Sequence, residues 1–220
     1  MLKQVVLVGG GYSIVEGIET GLWEKLKQST IEIWSLNWAY KTMPYYPTRE
    51  CWIDINFFTS SIQELWDLWK HNVTCYAKDH PKYKYLPDIH SLPTTRNPLE
   101  FHDKIYIAKF GLTGYFALSL ACREKYERIY LLGYDFGVAK PYNEDGTKNT
   151  FTHYYQNKIA VPSRGAGHPE LYKTPDAKVE DFEIYLKEPC KIYNVSLSSN
   201  IKCFEKIDYP TFYKLVKEEK

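Results

Sequence analysis

Four stretches of this chain bring together residue types suited to chemistry. The first is Gly9-Gly10-Gly11-Tyr12-Ser13, directly after the apolar run 5–8. A glycine turn between a strand and a helix lets backbone N–H groups and the helix N-terminus approach an anion, most often a phosphate. It is not a G-x-G-x-x-G fingerprint, because Ile14 stands where the last glycine would be, and no Gly-Lys-Ser/Thr follows to make a P-loop. A tight chain reversal would use the same residues. The second is Asn37, in Ser35-Leu36-Asn37-Trp38-Ala39 at the end of an apolar run. An amide there offers a donor and an acceptor to a base or sugar, or ends the strand in an Asx turn.

The third stretch pairs Thr113-Gly114, ahead of a helical pattern, with Gly133-Tyr134-Asp135-Phe136, after a strand pattern. A hydroxyl at a helix N-terminus is by default a cap. An aspartate at the carboxyl end of a parallel strand faces the edge where such folds bind ligands, and could bind hydroxyls, orient a base or hold a metal. The fourth is the long segment 137–175 with His153 and His168. Histidine suits general acid–base work because its ordinary pKa of about 6.5 needs little shifting. Tyr155, Lys158 and Arg164 could add stacking and positive charge to anionic groups there. No metal site is expected: Cys and His show no zinc spacing, 143–147 lacks the alternating ligands of a calcium loop, and Asp54-Ile55-Asn56 only approaches a D-x-D.

These residues need a frame that holds them along one edge. The run 5–8 is β-branched and wholly apolar, as in a strand buried on both faces of a parallel sheet. Ser13 with Glu16 forms a capping box for a helix predicted over 13–27, with Ile14, Ile18, Leu22 and Leu26 in one stripe. Further strands are predicted over 31–36, 51–55, 73–77, 83–86, 128–132 and 191–195. Helices are predicted over 62–69, 113–125 and 177–187, and a short turn or helix over 199–204. The alternation implies an α/β, Rossmann-like doubly wound sheet, mostly parallel, in one domain over 1–220. Residues 137–175 then form a lid or insertion after the strand that ends at Asp135.

Composition narrows the class. The chain has 220 residues with 28 Lys+Arg against 27 Asp+Glu, a formal net charge of +1. Such balance carries no strong nucleic-acid signature, because coating a polyanion needs a basic excess. No run of apolar residues is long enough to span a membrane, and five scattered cysteines with no C-x-x-C pair fit buried thiols in a reducing, cytoplasmic setting. Aromatic residues reach 16%, with 20 Tyr. The candidates for a stacking surface narrow to Tyr12, Tyr134, Phe136, Tyr154 and Tyr155, which flank the proposed site residues.

The ordered set 9–13, Leu36-Asn37-Trp38-Ala39, Thr-Gly-Tyr-Phe-Ala-Leu over 113–118, Ile-Tyr-Leu-Leu-Gly-Tyr-Asp-Phe over 129–136 and Tyr-Asn-Val-Ser-Leu-Ser-Ser-Asn-Ile over 193–201 resembles a Rossmann-like superfamily. It holds the bacterial lipooligosaccharide sialyltransferases and the archaeal-type hydroxymethylpterin pyrophosphokinases. The sialyltransferase branch implies that Gly9, Gly10, Gly11, Ser13 and Asn37 hold a cytidine nucleotide and that Thr113 and Gly114 meet its phosphate or sugar. It further implies that Gly133, Asp135 and Phe136 line the donor pocket, and that a lid histidine, His168 or His153, is the base. Gly10 and Tyr12 depart from the asparagine and proline of the family's turn. That branch needs a nucleotide-activated sugar, CMP-linked, and an acceptor, with no cofactor. The pyrophosphokinase branch implies ATP with magnesium in the same cleft and Asp135 as a candidate metal ligand. The Gly-Tyr-Asp-Phe turn leans toward the sialyltransferases. The resemblance is compatible with a homo-oligomer, and a catalytically silent nucleotide-binding or assembly module is the reading from a different class.

Overall fold

The structure, a computed structural model, describes residues 2–83, 86, 88–108, 111–136 and 179–217. The chain enters through strand β1 (Gln4–Val8), whose apolar residues are all buried, and turns through the glycines into helices α1 (Ile14–Glu19) and α2 (Leu22–Lys27). Strand β2 (Glu32–Leu36) leads into a tight helical turn, Asn37–Thr42, and then to β3 (Arg49–Trp52), α3 (Ile55–Lys70), β4 (Thr74–Lys78) and β5 (Ile89–Leu92). Two short strands, β6 (Thr94–Thr95) and β7 (Ile105–Tyr106), pair with each other ahead of α4 (Thr113–Arg123) and β8 (Arg128–Leu132). A 3-10 helix, Glu180–Lys187, then β9 (Lys191–Asn194), β10 (Glu205–Lys206) and α5 (Tyr209–Lys217) complete the described chain.

Eight strands form one sheet in the order β10-β9-β8-β1-β2-β3-β4-β5, and every neighbouring pair among them is parallel. The fold is therefore the α/β, Rossmann-like, doubly wound sheet that the alternation predicts. Strand order reverses between β1 and β8, where Val5 pairs with Ile129 and Val8 with Leu132. In sheets of this kind the crevice beyond such a reversal is the usual ligand site.

The two-residue period of β1 divides the core. Val6 and Val8 join Ile14, Leu22, Leu26, Phe57, Leu65, Tyr209 and Phe212 on the face covered by α1, α2, α3 and α5. Val5 and Leu7 join Phe116, Leu118, Phe182 and Tyr185 on the face covered by α4 and the 180–187 helix. Much of the aromatic excess is consumed here: Tyr115 stacks on Phe182 at 4.0 Å between centroids, and Tyr130 on Tyr193 at 5.4 Å.

Several boundaries differ from expectation. The predicted helix over 13–27 is broken, because Gly21 takes a left-handed φ of 81° and splits it into α1 and α2. The strand predicted over 51–55 ends at Trp52, since Asp54 accepts the Asn56 amide at 2.8 Å and caps α3, which then starts seven residues before the predicted helix. Pro81–Tyr83 is a tight helical turn where a strand over 83–86 was expected, and the strand lies instead at Ile89–Leu92. The helix predicted over 177–187 is a 3-10 helix, and 199–204 carries no regular helix. Cys122 and Cys190, far apart in sequence, meet as free thiols with their sulfurs 3.6 Å apart.

Gly17 tests how α5 is seated. A Cβ on Gly17 would lie 2.3 Å from Cε1 of the Tyr209 ring, which is buried. Ala in place of Gly inside a helix gains about 1 kcal/mol, whereas forcing a buried ring aside costs about 1–3 kcal/mol. Gly17→Ala is expected to lower stability by about 1 kcal/mol, read as a Tm drop of about 2–4 °C for a chain of this size; a raised Tm would mean that α5 moves aside freely.

Candidate functional site

Two glycine turns pressed backbone to backbone form the carboxyl edge of the sheet at the strand reversal. The Gly9 amide donates to the Leu132 carbonyl and the Gly11 amide to the Gly133 carbonyl, each at 2.8 Å. Side chains do not fit between them. A Cβ on Gly9 would sit 2.8 Å from the Gly133 carbonyl oxygen, and one on Gly11 would sit 2.6 Å from it. Gly133 itself has a left-handed φ of 67°, which glycine adopts without strain. Gly10, between the two contacts, is half-buried.

This approach delivers Asp135 to Ser13. The Ser13 amide donates to Asp135 Oδ2 at 2.8 Å, the Ser13 hydroxyl donates to Oδ1, and the Tyr12 amide also favours the carboxylate. Asp135 thus meets the free amides ahead of α1, where the sequence suggested an anionic ligand. The predicted capping box does not form: the Ser13 side chain makes no bond to α1 and is committed to Asp135. Burial pushes the Asp135 carboxyl above its ordinary pKa, and the Ser13 and Tyr12 donors pull in the other direction without overcoming it. Behind this contact the Tyr209 hydroxyl donates to the Ser13 carbonyl at 3.2 Å.

On the other flank of β1, the strand order places Asn37 at the end of β2. Its φ is 54°, a left-handed conformation that asparagine tolerates better than most side chains. Asn37 Nδ2 donates to Thr113 Oγ1 at 3.3 Å. Leu112 holds the capping position of α4, so the Thr113 hydroxyl faces Asn37 and is not a cap. Gly114 gives its carbonyl to the Tyr134 hydroxyl at 3.2 Å, and a Cβ there would press on the Tyr134 ring at 3.0 Å. One edge therefore carries, in strand order, Asp135, the turn 9–13 and Asn37, with the start of α4 against Asn37.

The fold is shared with known glycosyltransferases. The chain is similar in structure to the sialyltransferase CstII from Campylobacter jejuni in complex with the substrate analogue CMP-3FNeuAc, at 15% identity over 94% of this chain and 85% of that one, with a TM-score of 0.53. A second CstII complex, with cytidine-5'-monophosphate, gives 15% identity over 93% and 84%, with a TM-score of 0.51. The MAf glycosyltransferase from Magnetospirillum magneticum AMB-1 gives 16% identity over 94% of this chain and 34% of that larger one, with a TM-score of 0.60. No family model and no curated protein matches the sequence. None of these three structures is a pyrophosphokinase.

The carboxyl edge also uses residues to which no role was assigned from sequence. The loop after β9 clamps the Asp135 turn from outside: Ser199 Oγ donates to the Tyr134 carbonyl at 2.7 Å, the Asn200 amide to the Asp135 carbonyl at 2.8 Å, and Asn200 Nδ2 to the Phe136 carbonyl at 3.1 Å. Asn194, wholly buried, donates to Ser199 Oγ at 2.7 Å. The signal was there in the polar run Ser-Leu-Ser-Ser-Asn after a strand. Glu50, inside β3, is also wholly buried beneath the edge. Tyr134 is a core residue and not a stacking platform, and Phe136 packs against Tyr115 and Phe182. His153, His168 and Tyr155 lie outside the described residues. Among the described residues no group of three His, Cys, Asp or Glu could hold a metal ion, and no helix is long and apolar enough to cross a membrane.

Asp135 sets a pH dependence whose sign follows from its surroundings. Its folded-state pKa is raised, so its favourable contribution is complete below the unfolded value of about 3.9 and is lost as pH rises through the folded value. Asp135→Asn removes that dependence. Relative to the wild type, its urea midpoint should improve as pH rises above about 4; a relative decline would show that the Ser13 donors, and not burial, govern the group.

Proposed function

We propose that this protein is an inverting glycosyltransferase that takes a sugar from a nucleotide donor, CMP-linked as in the sialyltransferases it resembles. The observation that carries the reading is the constellation at the strand reversal: Asp135 bound to Ser13 on one side of β1 and Asn37 bound to Thr113 on the other, in a fold shared with a CMP-binding sialyltransferase. Because the amide and hydroxyl of Ser13 are turned to Asp135, the donor's phosphate goes to the open end of the edge, at the N-terminus of α4 with Thr113, Gly114 and the Asn37 amide. The turn 9–11, free of side chains, lets the nucleotide lie close to the backbone, and Gly133 and Phe136 shape the floor.

In this reading an acceptor hydroxyl attacks the anomeric carbon as the bond to the phosphate oxygen breaks. The nucleotide leaves with the electron pair, stabilised by the donors around Asn37 and Thr113. A base, His168 or His153, takes the hydroxyl proton. The reaction asks for no metal, which separates it from an ATP and magnesium-dependent pyrophosphokinase.

Ligand-induced stabilisation tests the reading directly. At a hundredfold excess over its dissociation constant a ligand adds about 2.7 kcal/mol, or roughly 5–10 °C in Tm at this chain length. CMP should give such a shift without magnesium, and Thr113→Val or Asn37→Ala should reduce it. No shift with any nucleotide would overturn the enzymatic readings in favour of a silent module, and a shift with ATP that requires magnesium would favour the pyrophosphokinase. One of His153→Ala and His168→Ala should abolish turnover while leaving the CMP shift intact.

A further inference from the structure

Cys122 and Cys190 lie 68 positions apart in the chain, yet their sulfurs meet at 3.6 Å as free thiols. Cys122 is buried in the last turn of α4, and Cys190 is half-buried one residue ahead of β9. A buried thiol is by default a small apolar group. Cys51 and Cys75 fit that role, each wholly buried and each in a different face of the core. The 122–190 pair differs in two ways. Its sulfurs need only close to about 2.0 Å to become a bond, a displacement shorter than a single C–S bond. One member, Cys190, also keeps some surface in solvent, where a dissolved oxidant can reach it. With the Cys122 thiol donating to it, Cys190 is held below its ordinary pKa, and the same contact pushes Cys122 up. Burial pushes the half-buried Cys203 up to about 11. Cys190 is therefore the thiol that ionises first, and the thiolate is the reacting form.

We propose that Cys122 and Cys190 form an oxidation site: a dithiol that a peroxide converts into an intramolecular disulfide joining α4 to β9. The Cys190 thiolate attacks one peroxide oxygen, the O–O bond breaks and hydroxide leaves, giving a sulfenic acid on Cys190. The Cys122 sulfur then attacks the Cys190 sulfur, the S–O bond breaks, and the departing oxygen leaves as water with the Cys122 proton. The two thiols have given up two electrons and two protons, and the peroxide has become two waters. A thiol reductant reverses the step by exchange. Both residues lie at the amino edge of the sheet: α4 runs back from Thr113 toward the start of β8, and Cys190 precedes Lys191, which pairs with Arg128. The bond therefore forms at the end opposite Asn37 and Asp135, and it closes a ring over 122–190 that takes in β8 and the Asp135 turn. It acts on the frame that holds the carboxyl edge without touching that edge, and it does not rest on the donor site proposed above.

Hydrogen peroxide added to the reduced wild-type protein provides the test. The protein should lose two free thiols and the mass of two hydrogens, and digestion should yield a pair of peptides joined through Cys122 and Cys190. Its Tm should rise by roughly 5–15 °C, because a ring this long restricts the unfolded chain. Dithiothreitol should restore both the thiols and the original Tm. Cys122→Ser should block the bond and the rise in Tm while Cys190 still takes up oxygen, and Cys190→Ser should leave Cys122 unmodified. Should Cys122→Ser fail to fold because its hydroxyl is buried, Cys122→Ala serves in its place. An unchanged mass, uptake of oxygen with no disulfide, a disulfide between two molecules or through another cysteine, or a bond that lowers the Tm would each overturn the proposal.

Discussion

The Gly133 carbonyl accepts the Gly11 amide at 2.8 Å, and the whole carboxyl edge of the sheet depends on that contact. It brings two turns within backbone distance, which only glycine at 9, 11 and 133 permits. Asp135 can then reach back to the first amides of α1, and the same turn exposes its carbonyls to the loop after β9. Any side chain at these positions would pry β8 from β1 at the point where the strand order reverses. The edge is thus shaped by what is missing from three residues as much as by the groups that line it.

A second constraint is polar burial. Asn194 and Ser199 are withdrawn from water and reach the edge from behind, whereas Asp135 is half-buried on it. Ser199 and Asn200 hold the carbonyls of 134–136, and Tyr209 holds the carbonyl of Ser13. Backbone groups that have left the sheet ladder but remain buried need partners, and these side chains supply them. The result is a rigid rim carried on hydrogen bonds from both core faces.

The sequence disclosed the parts of this arrangement that repeat locally. β1, α4 and β8 were legible because apolar runs of strand length and helical spacing leave few alternatives, and the glycines marked where backbones meet. That Asp135 lies at the carboxyl edge was legible from its place after a strand pattern, whereas its contact with the first turn is set by the β8-β1 pairing. What stayed hidden was decided at long range. Ser13 has every local mark of a cap, but its hydroxyl is taken by a residue 122 positions away. Nothing near Arg49-Glu50 in sequence shows that Trp34 and Tyr76 cover the arginine while the glutamate is wholly buried. β5 is an edge strand with polar His90 and Ser91 and only Ile89 well buried, too weak a pattern to stand out in a proline-rich stretch. The break at Gly21 was invisible because its flanking residues keep the apolar stripe in phase.

The parallel order of the sheet also governs how the chain comes to be folded. β1 is made before the other strands and is apolar over Val5–Val8, but its second neighbour, β8, begins at Arg128, so Gln4 must wait for a partner 124 residues downstream. Closing so long a loop costs entropy before any contact rewards it. During synthesis one side of a valine-rich strand stands open, the kind of edge that recruits other chains. The same strand that anchors the finished site is therefore the segment most exposed to mispairing until β8 has emerged.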